Sequence, residues 1–260
     1  MTTKPDSSLE QTLPEGQLVN RAWLLARGFN RSRVDYFLRA RKLVSVVHGI
    51  YHRPGPPLKW EPVVYSLNEM DVAVRVGGRS ALELQGMAHY LPMGDEQRID
   101  LYSSGKVPAW VRGFKRPFRF YIHTQRLFDQ LPEAAVHHQP FGAWDWPIRY
   151  STPELATVEL MAGVHDQADF FMADKFFEVA VNLRPELLHD LLKACTQVKA
   201  KRLFLWFSDR HGHAWRKALK SEEIDLGRGK RSLVRGGAHD ATYQMTVPRE
   251  MTGDSEHAIY

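Results

Sequence analysis

Residues 20–52 read NRAWLLARGFNRSRVDYFLRARKLVSVVHGIYH, and this stretch carries the clearest structural pattern in the chain. Asn20 is a suitable N-cap for a short helix. We assign the apolar side of this helix to three residues: Ala22, Leu25 and Ala26. Gly28 follows at the position where helices commonly end in a left-handed residue. The pattern therefore predicts a short helix that ends in a glycine turn.

A second helix is predicted over residues 31–41, with Asn30 as its N-cap. Its buried stripe follows the i, i+3, i+4 spacing and consists of Val34, Phe37 and Leu38. At about 100° per residue, the outward side carries Ser32, Tyr36 and Arg39, with Arg33 beside them. If the cap lay one residue away, Arg31 would replace Arg33 near this outward side.

A two-stranded hairpin is predicted after the second helix. Residues 43–47 form a β-branched run, His48 and Gly49 make a turn, and residues 50–52 return as a strand. Several prolines follow, so we place a linker at residues 54–59. The order helix, glycine turn, helix, hairpin predicts a winged helix-turn-helix domain over residues 1–58.

The rest of the chain, residues 59–260, is predicted to be a larger mixed domain, and the fold class is α+β. Strand candidates are residues 72–76, 98–102, 118–123, 148–151 and 243–247. Helix candidates are residues 80–86, 153–162, 169–182, 185–195, 199–209 and 213–220. Short strands precede most of the helices, which is typical of this class.

Basic charge is concentrated in the N-terminal part. Residues 21–53 contain eight Lys or Arg and one acid, Asp35, a local net charge of +7 in a chain whose net charge is +5. Such an excess fits a polyanion partner, although a solvated basic face that binds nothing has the same composition. In a winged helix-turn-helix the second helix enters the major groove of duplex DNA. The alternative is a small helical subdomain that packs on the rest of the protein, but an outward side of Ser, Tyr and Arg argues against packing.

Nine residues are the candidate DNA-binding side chains. Arg33 and Arg39 are suited to guanine, and Ser32 and Tyr36 to bases or phosphate oxygens. Three more are expected to hold phosphates: Arg31, Arg41 and Lys42. The ends of the wing add His48 and Arg53, along the backbone or in the minor groove.

A second basic region follows between residues 199 and 235. Its candidate surface residues are Lys199, Lys201, Arg202, Arg228, Lys230 and Arg231. This surface would contact DNA or an RNA, or it is a solvated helix face and loop. The segment GRGKR at 227–231 is not a phosphate-binding P-loop, because it lacks the four-residue spacer and a Ser or Thr after the Lys.

Several classes of protein are disfavoured by the composition. The chain has no run of 18 apolar residues and no apolar segment near Met1, so we expect neither a membrane span nor a secretory signal, and a cytoplasmic location. A single cysteine, Cys195, excludes an intrachain disulfide. The histidine pairs His137-His138 and His211/His213 have no clear carboxylate or cysteine partner at ligand spacing, so we expect no metal. We also expect no cofactor. No nuclease-like order of carboxylates is present, so we do not expect an enzyme.

Six segments resemble the AbiEi-type antitoxins of bacterial type IV toxin–antitoxin and abortive phage-infection systems. They are LLARGFNRSRV (24–34), LVSVVHGIY (43–51), SALELQG (80–86), KRLFLWF (201–207), DLGRGKR (225–231) and VP (247–248). The helix–wing motif is shared by many bacterial regulators, whereas DLGRGKR together with KRLFLWF is much more specific. The loop at 105–114 and the segment at 137–146 match nothing in this family, so their roles stay open.

The resemblance implies a DNA-binding antitoxin. Its winged helix would bind inverted repeats in its own promoter and repress the operon. The larger domain would counter a cognate nucleotidyltransferase-type toxin without needing a stable complex. Two alternatives stay open at this point: an enzyme fused to a DNA-binding domain (a nuclease, or a kinase that modifies the toxin), and a transcriptional regulator with a ligand-sensing C-terminal domain.

Overall fold

A computed structural model describes residues 8–87, 96–140 and 145–252. These residues form two compact units. The first comprises residues 8–75, 96–124, 138–140 and 145–149, and the second comprises residues 76–87, 125–137 and 150–252. The α+β class predicted from the sequence is confirmed.

The N-terminal part of the first unit has the winged-helix element order. Its elements are α1 Leu9–Thr12, β1 Val19–Asn20, α2 Arg21–Ala26, α3 Arg31–Arg39, β2 Val44–Val47 and β3 Ile50–His52. Strand β1 pairs with β3, and β3 pairs with β2, so the wing belongs to a three-stranded antiparallel sheet. The predicted winged helix-turn-helix is therefore present, with β1 as a strand that the sequence did not indicate.

The rest of the chain alternates between strands and helices. The strands are β4 Val74–Val76, β5 Gln97–Ser103, β6 Phe118–His123, β7 Val136–Pro140, β8 Pro147–Ser151, β9 Ala238–Asp240 and β10 Met245–Val247. The helices are α4 Trp60–Glu69, α5 Gly78–Leu84, α6 Pro153–Ala162, α7 Gln167–Glu178, α8 Pro185–Ala194 and α9 Val198–His211. Strands β6, β5, β4, β8 and β7 form a five-stranded sheet in this order, with β5 and β6 parallel and β4 and β8 parallel.

Some predicted elements differ from the structure. The helix expected at 213–220 is a 3₁₀ turn over Ala214–Ala218. The helix expected at 169–182 runs over Gln167–Glu178, because Asp166 caps its start by accepting from the backbone N–H of Asp169. Helix α4 was not predicted, because its apolar residues lie close behind a run of prolines that indicates a loop. Its own Pro62 is tolerated because it lies in the first turn, where the backbone N–H needs no helical partner.

Helix α4 belongs to the first unit. The buried Ser66 of α4 accepts a hydrogen bond from the backbone N–H of Leu18 at 2.8 Å, just before β1. Residues beyond the predicted linker thus help to hold the winged helix. The predicted boundary after residue 58 implies that residues 1–58 fold independently of the rest of the chain, and this stays a prediction.

The core of the second unit is built around α6. Every residue from Glu154 to Met161 is buried, as expected for a helix that is enclosed by its neighbours. Helices α5, α7, α8 and α9 all pack against α6. Phe177 of α7 is fully buried and stacks on Phe207 of α9, with the ring centroids 5.1 Å apart. Cys195 is buried at the C-cap of α8.

Candidate nucleic-acid interface

Two asparagine caps set the orientation of helices α2 and α3. Asn20 Oδ1 accepts from the backbone N–H of Trp23 at 2.7 Å, and Asn30 Oδ1 accepts from that of Arg33 at 2.8 Å. Gly28 between the helices has a φ of +91°, a conformation that favours glycine. Both predicted caps are confirmed, so the one-residue shift that would place Arg31 in the position of Arg33 does not occur.

The buried side of α2 differs from the prediction. Trp23 and Leu24 are buried, whereas the expected apolar side is exposed, namely Ala22, Leu25 and Ala26. A helix of six residues has too few turns for periodicity to define its inner side, and here Trp23 and Leu24 occupy the core. Arg27 covers part of the exposed edge, with its guanidinium carbon 3.5 Å from the centroid of the Trp23 ring.

Helix α3 presents a polar outward side. Val34 and Phe37 are buried, and Leu38 is half-buried, as predicted. Ser32 and Arg39 are exposed on the opposite side. Tyr36, which shares that side, is 52% exposed. Arg31 is also exposed, in the first turn. The helix ends at Arg39, two residues earlier than predicted, and Arg41 then adopts a left-handed φ of 54°.

The one acidic residue in the region is held by a neighbouring arginine. Asp35 of α3 accepts from Arg21 Nη2 of α2 at 2.6 Å. This hydrogen bond raises the pKa of Arg21. Because the carboxylate is paired across the two helices, it weakens the positive field of α3 less than an isolated acid would.

Arg33 lies at the edge of the outward side and contacts the core. Its guanidinium carbon is 5.3 Å from the centroid of the Phe29 ring and 5.6 Å from that of Phe37. The side chain is half-buried, in contrast to Arg39. The geometry therefore separates two arginines that the sequence treated alike, and Arg39 has the freer approach to a ligand.

The wing carries the remaining predicted residues. His48 is exposed at the tip of the β2–β3 hairpin, and Arg41 and Lys42 are exposed between α3 and β2. Arg53 is half-buried, and its Nη1 donates to the carbonyl oxygen of Leu13 at 3.2 Å. Arg53 thus helps to tie α1 to the wing, a structural role that the charge pattern did not indicate.

The predicted second basic surface requires a correction. Lys201 and Arg202 are only 5% and 3% exposed, so they do not belong to a surface. Both lie on α9, which is buried over most of its length. Three of the six predicted residues remain exposed: Arg228, Lys230 and Arg231. Lys199 is half-buried, and its Nζ donates to the carbonyl oxygen of Val164 at 2.8 Å.

Arg202 is the anchor of the DLGRGKR loop. Its guanidinium donates to the carbonyl oxygens of Leu226 at 2.9 Å, Gly229 at 2.7 Å and Gly227 at 3.2 Å. A fourth bond, to the carbonyl of Gln244, measures 3.1 Å. The guanidinium has several donors in a rigid plane, which suits it to such a set of carbonyls. The two family-like segments are therefore connected by a structural contact.

Gly227 has a steric role in the same loop. Its φ is +60°, and a Cβ at this position would lie 2.8 Å from Val198 Cγ2. Any other residue would require the loop or Val198 to move. Gly227 thus serves close packing of the loop on α9.

A cleft of about 440 Å³ also lies in the first unit. Its polar and aromatic lining comes from α4, from the turn after α4, and from strands β7 and β8: Tyr65, Asn68, Glu69, Asp71, His138 and Arg149. Tyr65 stacks on Trp146 with a centroid distance of 4.8 Å. Glu69 accepts from Arg27 Nη2 of α2 at 3.4 Å, so this residue of the cleft also contacts the helix-turn-helix. No residue pattern in the sequence pointed to it.

Within residues 8–87, 96–140 and 145–252, no three His, Cys, Asp or Glu side chains are grouped as metal ligands would be. Over the same part of the chain, no helix is long and apolar enough to cross a membrane.

The elements described above define a winged helix-turn-helix protein whose helix α3 presents polar and basic side chains on its outward side. Two family models match the chain: "Transcriptional regulator, AbiEi antitoxin N-terminal domain" over residues 1–93, and "Transcriptional regulator, AbiEi antitoxin, Type IV TA system" over residues 96–248. The chain therefore belongs to the AbiEi antitoxin family of transcriptional regulators of type IV toxin–antitoxin systems. The family resemblance read from the sequence is confirmed.

One solved structure supports the fold. The RV2827C protein from Mycobacterium tuberculosis superposes with a TM-score of 0.57 at 17% identity, covering 88% of this chain and 85% of that chain. At this identity the likeness concerns the fold alone. No protein of curated function matches the chain.

Proposed function

We propose that the winged helix binds duplex DNA at inverted repeats in the promoter of its own operon and represses transcription. The observation that carries this proposal is the outward side of α3. Ser32, Tyr36 and Arg39 are exposed there, and the nearby Asp35 is paired with Arg21. A helix enters the major groove with such side chains toward the base edges.

Different residues have different roles in this proposal. Arg39, Ser32 and Tyr36 contact bases, and Arg33 supports them from its position against Phe29 and Phe37. Arg31 holds a phosphate near the start of α3. Further phosphate contacts come from Arg41, Lys42, His48 and the part of Arg53 that is not occupied by Leu13.

The phosphate contacts are tested by the double variant Arg41→Ala/Lys42→Ala. We expect weaker binding to operator and to unrelated duplex alike, because phosphates carry no sequence information. The plot of log K against log salt should flatten by about one unit for each lost phosphate contact. Fluorescence anisotropy on a labelled promoter fragment at several salt concentrations measures both effects. An unchanged slope would remove these two residues from the interface.

The second part of the proposal concerns the toxin. We propose that the remainder of the chain counters a cognate nucleotidyltransferase-type toxin in the cytoplasm, without a requirement for a stable complex. Membership of a type IV antitoxin family supports this proposal. The exposed residues Arg228, Lys230 and Arg231 are candidates for contacts in this role.

If promoter repression and toxin neutralisation are separate roles, a variant should be able to lose one and keep the other. In cells that express the toxin, the variant Arg39→Ala/Lys42→Ala should rescue growth as wild type does, although it no longer represses the promoter. The wild-type protein and the double variant must both be expressed from an external promoter, so that loss of autoregulation does not change the amount of antitoxin. Loss of rescue by this variant at equal protein level would contradict the separation of roles.

A further inference from the structure

One side of the β5–β6 strand pair carries an unusual set of side chains. The two strands are parallel and in register, with Arg98 beside Arg119, Asp100 beside Tyr121 and Tyr102 beside His123. Since side chains alternate along a strand, these six residues share one side, which we call the β5–β6 polar face.

The other side of the same strands is apolar and covered. Ile99, Leu101, Phe118 and Phe120 are buried there. Phe114, from the loop of unassigned role at 105–114, stacks on Phe118 at 5.3 Å and contacts Phe120 edge-on at 5.7 Å. The loop therefore closes the apolar side and leaves the polar face toward solvent.

Asp100 holds the polar face in a defined arrangement. It is 3% exposed, and it accepts from Arg98 Nη2 at 2.8 Å and from His123 Nε2 at 2.8 Å. Burial raises the pKa of Asp100, but the hydrogen bonds from His123 and Arg98 outweigh it and leave the pKa below its ordinary value. The charged carboxylate thus fixes two flat side chains, one on each strand.

The flat groups form two stacks on this face. The Arg98 guanidinium carbon lies 4.1 Å from the centroid of Tyr121. Tyr102 stacks on His123 at 4.5 Å and 15°, and Arg75 of β4 lies 5.0 Å from the Tyr102 centroid. Tyr121 is 37% exposed, and the side chains of Arg98 and Arg119 are 44% and 42% exposed. Aromatic rings and guanidinium planes are thus accessible together on one sheet surface.

The surrounding segment is basic. Residues 96–124 contain six Lys or Arg against Glu96 and Asp100. Lys115 and Arg116 are exposed just before β6, whereas Lys106 and Arg112 are exposed in the loop that packs on the apolar side. A net charge of +4 on a short segment favours a polyanion, whereas an acidic or apolar protein partner would not require the stacked rings.

We propose that the β5–β6 polar face binds single-stranded nucleic acid. Unpaired bases stack on Tyr121, Arg98 and His123. The phosphates contact Arg119 on the same face, and Arg116, whose backbone N–H donates to Glu96 beside Arg119. Sheets that display aromatic side chains next to basic residues bind unpaired bases in this way, since every base has a flat face. Duplex DNA hides its base faces and suits α3 instead. This surface is independent of the winged helix.

The test compares Tyr121→Ala with Tyr121→Phe in the full chain. The probes are labelled 12-nucleotide mixed-sequence RNA and DNA strands, and affinity is measured by fluorescence anisotropy. Tyr121→Ala should weaken binding about 5- to 150-fold, as expected for the loss of one stacked base, and Tyr121→Phe should keep the affinity because the ring remains. The two probes distinguish RNA from DNA as the ligand.

A matched control and a second measurement keep the test decisive. Phe171→Ala removes a ring that is 41% exposed in the second unit, and it should leave single-strand affinity unchanged. Photocrosslinking of wild-type protein to 4-thiouridine RNA should label peptides that contain Tyr102 or Tyr121. Equal affinity of Tyr121→Ala and wild type, or crosslinks confined to α3 and the wing, would overturn the proposal. Operator binding should be the same in all three variants, so failure here is distinct from failure of the proposed repressor function.

Discussion

Arg202→Met is expected to lower the free energy of unfolding by about 3 kcal/mol. The substitution keeps an apolar stem of similar length but removes the guanidinium that donates to the carbonyl oxygens of Leu226, Gly227, Gly229 and Gln244. Of these four, only the Gln244 carbonyl keeps a backbone partner among the described residues, the N–H of Arg231 at 2.9 Å. Each buried acceptor that loses its partner costs about 1–3 kcal/mol, and the exposed loop regains part of this from water. Urea denaturation followed by tryptophan fluorescence measures the change.

A neighbouring arginine provides the control for this prediction. Arg228 lies in the same loop but is exposed, so Arg228→Met should change stability by no more than about 0.5 kcal/mol. Arg202→Lys should recover only part of the loss, because an ammonium group cannot reach four carbonyls in one plane. If Arg202→Met were as stable as wild type, the loop would not depend on this anchor.

Arg39→Ala is expected to weaken operator binding by about 1–3 kcal/mol, or roughly 5- to 150-fold. Arg39 is exposed on the outward side of α3, and a bidentate contact to guanine is among the strongest that a side chain makes to a base. Anisotropy titrations against the promoter fragment and against a scrambled duplex measure the loss. The loss should be much smaller on scrambled DNA, because base contacts give specificity.

The outcome separates three roles of Arg39. A loss that is equal on both duplexes would make Arg39 a phosphate contact, contrary to the proposal. Unchanged affinity on both would place DNA binding elsewhere. Arg235→Ala, an exposed arginine of the second unit, is the matched control and should leave operator affinity unchanged.

The predictability of the winged helix has a local cause. Asn20, Gly28 and Asn30 act through hydrogen bonds and dihedral angles that involve only their sequence neighbours. Such local features can be recognised in the sequence without knowledge of the fold. The same holds for the inner side of α3, which has enough turns for its period to be read. Helix α2 was too short for this, so its inner side was assigned wrongly.

Counting charges along the sequence predicted surface residues less reliably than the cap residues predicted helices. It placed Arg202 and Lys201 on a surface, although both are buried in α9. It also treated Arg53 as a wing contact, whereas part of its guanidinium is bound to Leu13. A side chain's charge says nothing about which backbone carbonyls the fold brings within its reach.

The sequence alone determined the N-terminal architecture, the family and the α+β class, since caps, turn glycines and hydrophobic periods act over a few residues. Only the tertiary structure decided which arginines are buried and which remain available. It alone brought Arg98, Tyr121 and His123 around Asp100 from two strands that are separated by a long loop. Contacts between distant segments depend on strand register and packing, and no local pattern encodes either of these.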